Sequence, residues 1–180
     1  EIRLSLVGSE MCIRDRTKPV VCAVNGPALG GGLGLVANAH IAVTSHGSSF
    51  GLPEIRIGIW PYTIYASVET VLGARRTLEL SLSSKIFNTP EAFQWGLVHE
   101  VVPPFELEDR VEAIANALAN ASTETVQRGM RFVRDRRELS VGQAGRLALS
   151  MREENFRSLD FEEGVKAMRE KRAPRWPSQG

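Results

Sequence analysis

Residues Val20 to Ala39 constrain the fold most. An apolar, β-branched run, Val20-Val21-Cys22-Ala23-Val24, meets Asn25-Gly26, and Pro27-Ala28-Leu29 then leads into Gly30-Gly31-Gly32. The first run reads as a buried strand. Three glycines in a row suit a backbone that turns tightly or approaches another group closely. A helix is predicted from Leu33 to Ala39, so the unit is strand, glycine turn, helix, the building pattern of an α/β layer. Ile41-Ala42-Val43-Thr44 is a second predicted strand and His46-Gly47-Ser48-Ser49 a turn. After Phe50-Gly51-Leu52-Pro53-Glu54, the stretch Ile55-Arg56-Ile57-Gly58-Ile59 alternates at the period of a strand.

Further on, helices are predicted over Ala66–Leu72 and Arg75–Leu82, and a third begins at Thr89 as N-cap, with Pro90 and Glu91 in its first turn, and ends at Gly96. Leu97-Val98 and Val101-Val102 make a last strand, stopped by Pro103-Pro104. Beyond Phe105 only helices are expected. Val111, Ile114, Ala115 and Leu118 share one face, Thr123–Leu139, Val141–Leu159 and Phe161–Arg172 come next, and Phe161, Val165 and Met168 align on the last. Arg172 to Gly180, with Pro174 and Pro177, is expected to be a loose tail. The resulting division is 17–105 for the α/β part and 106–180 for the helical region.

Charge and composition exclude several classes. The 180 residues carry 22 Lys+Arg against 21 Asp+Glu, a net charge of +1, which argues against electrostatic binding to nucleic acid or membrane surfaces. No apolar run approaches the ~20 residues of a membrane span. Two cysteines, Cys12 and Cys22, suggest no disulfide framework, and a reducing, cytoplasmic setting is expected. His40, His46 and His99 lack metal-ligand spacing, so no metal site is expected. Glu1–Arg16 reads differently from the rest of the chain, and Glu10-Met11-Cys12-Ile13-Arg14-Asp15 resembles the translation of a sequencing-library adaptor. Residues 1–16 are therefore expected to be read-through, with the native residues ahead of Thr17 lost.

Five patterns could carry chemistry or binding. The glycine triplet before a helix offers unpaired N–H groups to a developing oxyanion, or is simply a tight turn. Gly32-x-Gly34-x-x-Ala37 matches a dinucleotide fingerprint, but seven residues separate it from Val24 where an immediate turn is needed. Gly47-Ser48-Ser49-Phe50-Gly51 matches the nucleophile elbow of serine hydrolases, with Ser49 as nucleophile, although Leu52-Pro53 comes where a helix should start. Glu54, between Pro53 and apolar residues, would have a raised pKa if buried and would suit proton transfer. Arg128, Arg131, Arg134, Arg136 and Arg137, set against Asp135 and Glu138, read as a solvated amphipathic face, with RNA the minor alternative.

In order, Lys18-Pro19-Val20…Ala23-Val24-Asn25-Gly26-Pro27-Ala28-Leu29-Gly30-Gly31-Gly32, then Phe50-Gly51-Leu52-Pro53-Glu54-Ile55-Arg56-Ile57-Gly58-Ile59, then Pro90-Glu91-Ala92…Trp95-Gly96-Leu97-Val98…Val101-Val102-Pro103 closely resemble the enoyl-CoA hydratase/isomerase (crotonase) family. The resemblance covers Thr17 to Arg172. It implies an α/β fold, a ββα spiral core followed by a C-terminal helical region, with a sizeable N-terminal part of the family's domain absent. It also implies an acyl-CoA thioester as substrate, coenzyme A entering only as part of it, no permanently bound cofactor, and a homo-oligomer (trimer or hexamer). By resemblance Gly31 supplies one oxyanion-hole N–H and the other comes from an upstream segment. Glu54 corresponds to one of the two glutamates of family hydratases, and the other position holds Gly34. That departure resembles the family's enoyl-CoA isomerases, in which one base moves a proton between carbons. Trp60-Pro61-Tyr62-Thr63-Ile64-Tyr65 replaces a small glycine-rich stretch, pointing the same way. Gly30, Gly32, Tyr62 and Lys171 are the remaining expected substrate or CoA contacts. A relative that binds acyl-CoA or RNA without catalysis is the alternative.

Overall fold

The computed structural model describes Ile13 and residues 16–179. The adaptor reading of residues 1–16 therefore falls, apart from Ile13 and Arg16, outside the described residues. Among the described residues, Val20–Ala115 form one compact unit, and 16–19 with 116–179 form another.

In the first unit the chain visits two small sheets in turn. Strand β1 (Val21–Val24) lies in one sheet and β2 (Ala28–Leu29) in the other, and helix α1 (Gly31–Asn38) then returns the chain to β3 (Ile41–Ser45) beside β1. β4 (Ser49–Gly51) crosses again to pair with β2. Helices α2 (Tyr62–Leu72) and α3 (Ala74–Ser83) precede β5 (Ile86–Asn88), α4 (Thr89–Gln94) and β6 (Glu100–Val102). The sheet β1-β3-β6 is parallel, with Val21 opposite Ile41 and Val43 opposite Glu100. In the second sheet β2 runs parallel to β4 and β4 antiparallel to β5. This strand–strand–helix repeat is the expected spiral.

The core sits between the sheets and helices. Leu33, Phe50, Leu52, Val68 and Leu80 are wholly buried, and the Phe50 and Phe87 rings stack at 5.6 Å. Each such side chain contributes about 1.5–3 kcal/mol by leaving water. α1 holds despite three glycines because Leu33 and Val36 are buried and Asn38 Nδ2 donates to the Gly34 carbonyl at 2.8 Å.

Several local expectations are corrected. α1 starts at Gly31, two residues before the predicted Leu33. Ile55–Ile59 is no strand, because Glu54–Ile57 coils into a 3-10 turn, closed by Arg56 N–H on the Pro53 carbonyl and Gly58 N–H on the Ile55 carbonyl. The N-cap of α4 is Asn88 rather than Thr89: its side chain accepts from Glu91 N–H while the Glu91 carboxylate accepts from Asn88 N–H, a complete capping box. Leu97 and Val98 are buried but lie outside β6.

In the second unit α5 (Leu107–Ala119), which begins in the first, is followed by α6 (Thr123–Asp135), α7 (Val141–Phe156) and α8 (Leu159–Glu170). Serines start the last three: Ser122 accepts from Thr125 N–H, Ser140 from Gln143 N–H and Ser158 from Phe161 N–H. α8 buries Asp160 and Ala167 rather than the aligned Phe161 and Met168, which are exposed. The C-terminal tail is not loose. Trp176 Nε1 donates to Asn120 O at 2.8 Å, Gln179 Nε2 to Ala119 O and Ala121 O, and Ser178 N–H to Asp160 at 3.0 Å.

Candidate active site

Glu54 opens the 3-10 turn directly after β4, Leu52 and Pro53. Leu52 is wholly buried and anchors the approach, while Gly58, at φ +77°, closes the turn. Ile59 N–H donates to the Glu54 carbonyl at 3.3 Å, and Arg56 Nη2 donates to Ser84 O at 2.9 Å. The turn is thus tied on both sides of the glutamate.

The side chain of Glu54 is half-buried, and its Oε2 is shielded from solvent with no hydrogen-bond partner among the described residues. Burial pushes its carboxyl above the ordinary glutamate value, opposed only by its own backbone N–H. An unpaired buried carboxylate oxygen is costly to a fold and is a signature of proton chemistry.

Gly30 is the N-cap of α1, at φ +54° and ψ −122°. Its N–H donates to the Gly51 carbonyl at 2.9 Å, which ties the start of α1 to β4. A side-chain carbon at position 30 would lie 2.8 Å from Glu54 Oε1. Gly30 and Glu54 are therefore in direct contact. Gly31 is the first residue of α1, with open space where a side chain would be, and Gly32 faces Ala28. The first N–H groups of a helix have no acceptor within it, and no side chain caps α1 and no acid lies in its first turn. The N-cap of α1 thus lies next to a carboxyl group whose pKa burial raises.

Tyr62 is the first residue of α2 and 81% exposed, beside Trp60, whose ring stacks on Tyr65 at 6.0 Å. Lys171 belongs to the second unit, where it is the left-handed C-cap of α8 at φ +53°. Ser49 starts a strand rather than a strand-to-helix elbow, so the nucleophile reading fails. His99 Nδ1 accepts from Ala42 N–H at 3.0 Å and His40 Nδ1 from Val20 N–H at 2.9 Å, both structural roles. Among the described residues no three His, Cys, Asp or Glu side chains gather to hold a metal ion. Sequence reasoning missed Gly51, whose carbonyl holds Gly30 and whose own Cβ would clash at 2.6 Å with Ile86 of β5. Its flanking position between Phe50 and Leu52 carried no separate signal.

The sequence model of the enoyl-CoA hydratase/isomerase family matches residues 4–179. The chain belongs to this family. It is 35% identical over 168 residues to mevalonyl-coenzyme A hydratase sidH of Aspergillus fumigatus, covering 91% of this chain and 62% of that protein. It is 33% identical over 172 residues to carnitinyl-CoA dehydratase of Proteus mirabilis, covering 90% and 64%. The solved structure of human enoyl coenzyme A hydratase domain-containing protein 3 superposes with a TM-score of 0.91 at 30% identity, covering 96% of this chain and 68% of that one. The spiral is the crotonase fold. The chain spans less than two thirds of the length of these two curated relatives. Another enoyl-CoA hydratase/isomerase relative, from Rattus norvegicus, is described as mitochondrial, so family membership does not fix a cytoplasmic setting. No helix among the described residues is long and apolar enough to cross a membrane.

Proposed function

We propose that the protein, at the full length of its relatives, acts on an acyl-CoA thioester and moves a proton through Glu54 while helix N–H groups stabilise an enolate. The observation that carries this reading is the buried, unpartnered Glu54 Oε2 beside the open N-terminus of α1. In this reading Gly31 N–H donates to the thioester oxygen as negative charge develops there, a preorganised contact that strengthens toward the transition state. The second donor belongs to the upstream segment that the resemblance implies. Gly32, Tyr62 and Lys171 are proposed to contact substrate, Lys171 through the phosphates of coenzyme A.

Isomerisation is favoured over hydration. By the resemblance, the position of the other hydratase glutamate is held by Gly34, inside α1, so it offers no carboxylate to activate water. One base is enough to take a proton from C2 of a 3-enoyl thioester and return it to C4 as the double bond moves to C2–C3. The stacked Trp60 and Tyr65 rings, in the segment that replaces the small glycine-rich stretch, fit a reshaped acyl pocket. An RNA-binding reading gains no support, because Arg128 pairs with Glu124 at 2.7 Å and Arg131 and Arg134 both pair with Asp135. A homo-oligomer is proposed from the resemblance and is supported by apolar side chains left at the surface, such as Val141 at 92% exposure.

The test is product analysis with a 3-enoyl-CoA and a 2-enoyl-CoA. The expected product is the 2-enoyl thioester from the first, with slow or no hydration of the second. A 3-hydroxyacyl thioester as the dominant product would overturn the isomerase assignment, and no turnover of either would overturn the enzyme reading.

A further inference from the structure

We infer that Gly30 acts as a positioning residue for Glu54, rather than as the substrate contact expected from the sequence. The inference rests on the proposed role of Glu54 in proton transfer. Three observations meet at Gly30. A side chain there would stand 2.8 Å from Oε1 and 3.4 Å from Cδ of Glu54, so the carboxyl group would have to shift to make room for it. The backbone at φ +54° and ψ −122° is one that L side chains rarely adopt, so the backbone itself favours glycine there. The Gly30 N–H is committed to Gly51 O at 2.9 Å, which leaves it unable to serve a ligand. Position 51 likewise disfavours a side chain, which would stand 2.6 Å from Ile86 Cδ1 and 3.1 Å from Lys85 O of the neighbouring chain segment.

These contacts form one line of support. β5 pairs with β4 at Gly51, the Gly51 carbonyl accepts from the N-cap of α1, and the N-cap lies against the Oε1 side of the Glu54 carboxyl group. The unpartnered oxygen, Oε2, is then the one left to carry the proton. The same residue is the N-cap of α1, which Gly31 opens. A displacement of about 1 Å in such an arrangement costs up to about a hundredfold in rate.

The test uses Gly30→Ala in the full-length protein. The methyl group must push the carboxyl group away from the N-cap and toward solvent. The expected result is a kcat lower by about a hundredfold with the affinity for the CoA thioester little changed. The acid limb of the pH–rate profile should also move to lower pH, because Glu54 loses the burial that raises its pKa. Glu54→Asp, whose shorter arm leaves room for the methyl group, should combine with Gly30→Ala at a loss smaller than the product of the two separate losses. Unchanged kcat and an unmoved acid limb in Gly30→Ala, or strictly multiplicative losses in the double variant, would overturn the inference. If Gly30→Ala fails to fold, the substitution is repeated beside Glu54→Ala, where recovered folding supports the contact. If both fail, Gly30→Asn, which tolerates a positive φ better, is read by the same kcat and pH profile, and an unmoved profile overturns the inference. Glu54→Gln separates the two claims. Retained turnover there defeats the proton-transfer reading itself, whereas lost turnover with an indifferent Gly30→Ala defeats only the role of Gly30.

Discussion

The two units of this chain are stabilised by different means. Val20–Ala115 has an apolar core in which Leu33, Phe50, Leu52, Val68 and Leu80 are fully buried. In the helical unit Met151 and Ala167 are the buried hydrophobic side chains among the described residues, while Val141, Met168 and Leu159 are exposed. What is buried there instead is polar. Asp160, 2% exposed, accepts from Ser122 Oγ and Ser178 Oγ, each at 2.5 Å, and from Ser178 N–H at 3.0 Å. Burial raises the Asp160 carboxyl, but these hydroxyls, the Ser178 N–H and the charge of Arg128 together hold it below its ordinary value. The comparison teaches where precision is placed. A packed core underlies the segments that carry Glu54 and Gly30, whereas directed hydrogen bonds fix the tail.

The largest effect should come from the core. Phe50→Ala removes a wholly buried ring stacked on Phe87 and should lower stability by about 3–5 kcal/mol, read from denaturant unfolding of the full-length protein. A loss below about 1 kcal/mol would mean that the spiral unit does not depend on its core.

A smaller effect is expected from Asp160→Ala, which strands the Ser122 and Ser178 donors at a cost of about 1–3 kcal/mol. Hydrogen exchange should show faster opening of the Ser178 amide and the first turn of α6, with the amides of β3 unchanged. Equal acceleration in β3 would remove the distinction between the units.

The smallest is a pH effect. Arg172 at 2.5 Å, helped by the Arg175 N–H, pulls Glu163 down to about 2, below its ordinary 4.5. A depressed carboxyl stabilises fully above its unfolded value and loses that contribution as pH falls through its folded value. Protection of the Trp176 indole N–H should therefore persist at pH 5 and fade only toward pH 2. Loss of protection well above the ordinary glutamate range would show that another group holds the tail.

Much of the spiral is legible in the sequence because β1 and β3 are β-branched runs and α1 comes after a glycine turn. The three-residue strands β4 and β5 are not, since three residues are too short to display a period. The tail is hidden because its hydrogen bonds go to carbonyls 56 to 60 residues away, and prolines indicate only where a helix stops. Glu54 is legible from its apolar flanks and from the family resemblance. Its contact with Gly30, far earlier in the chain, depends on a backbone torsion and on two elements meeting, which spacing does not report.

The most direct test of the account is Glu54→Gln in the full-length protein, assayed with a 3-enoyl-CoA beside a measurement of thioester affinity. The amide keeps the shape of the side chain and cannot take up a proton. Turnover should fall by about 10²–10⁴-fold while affinity holds. Turnover close to that of the unaltered protein would contradict the assignment of Glu54 as the group that moves the proton.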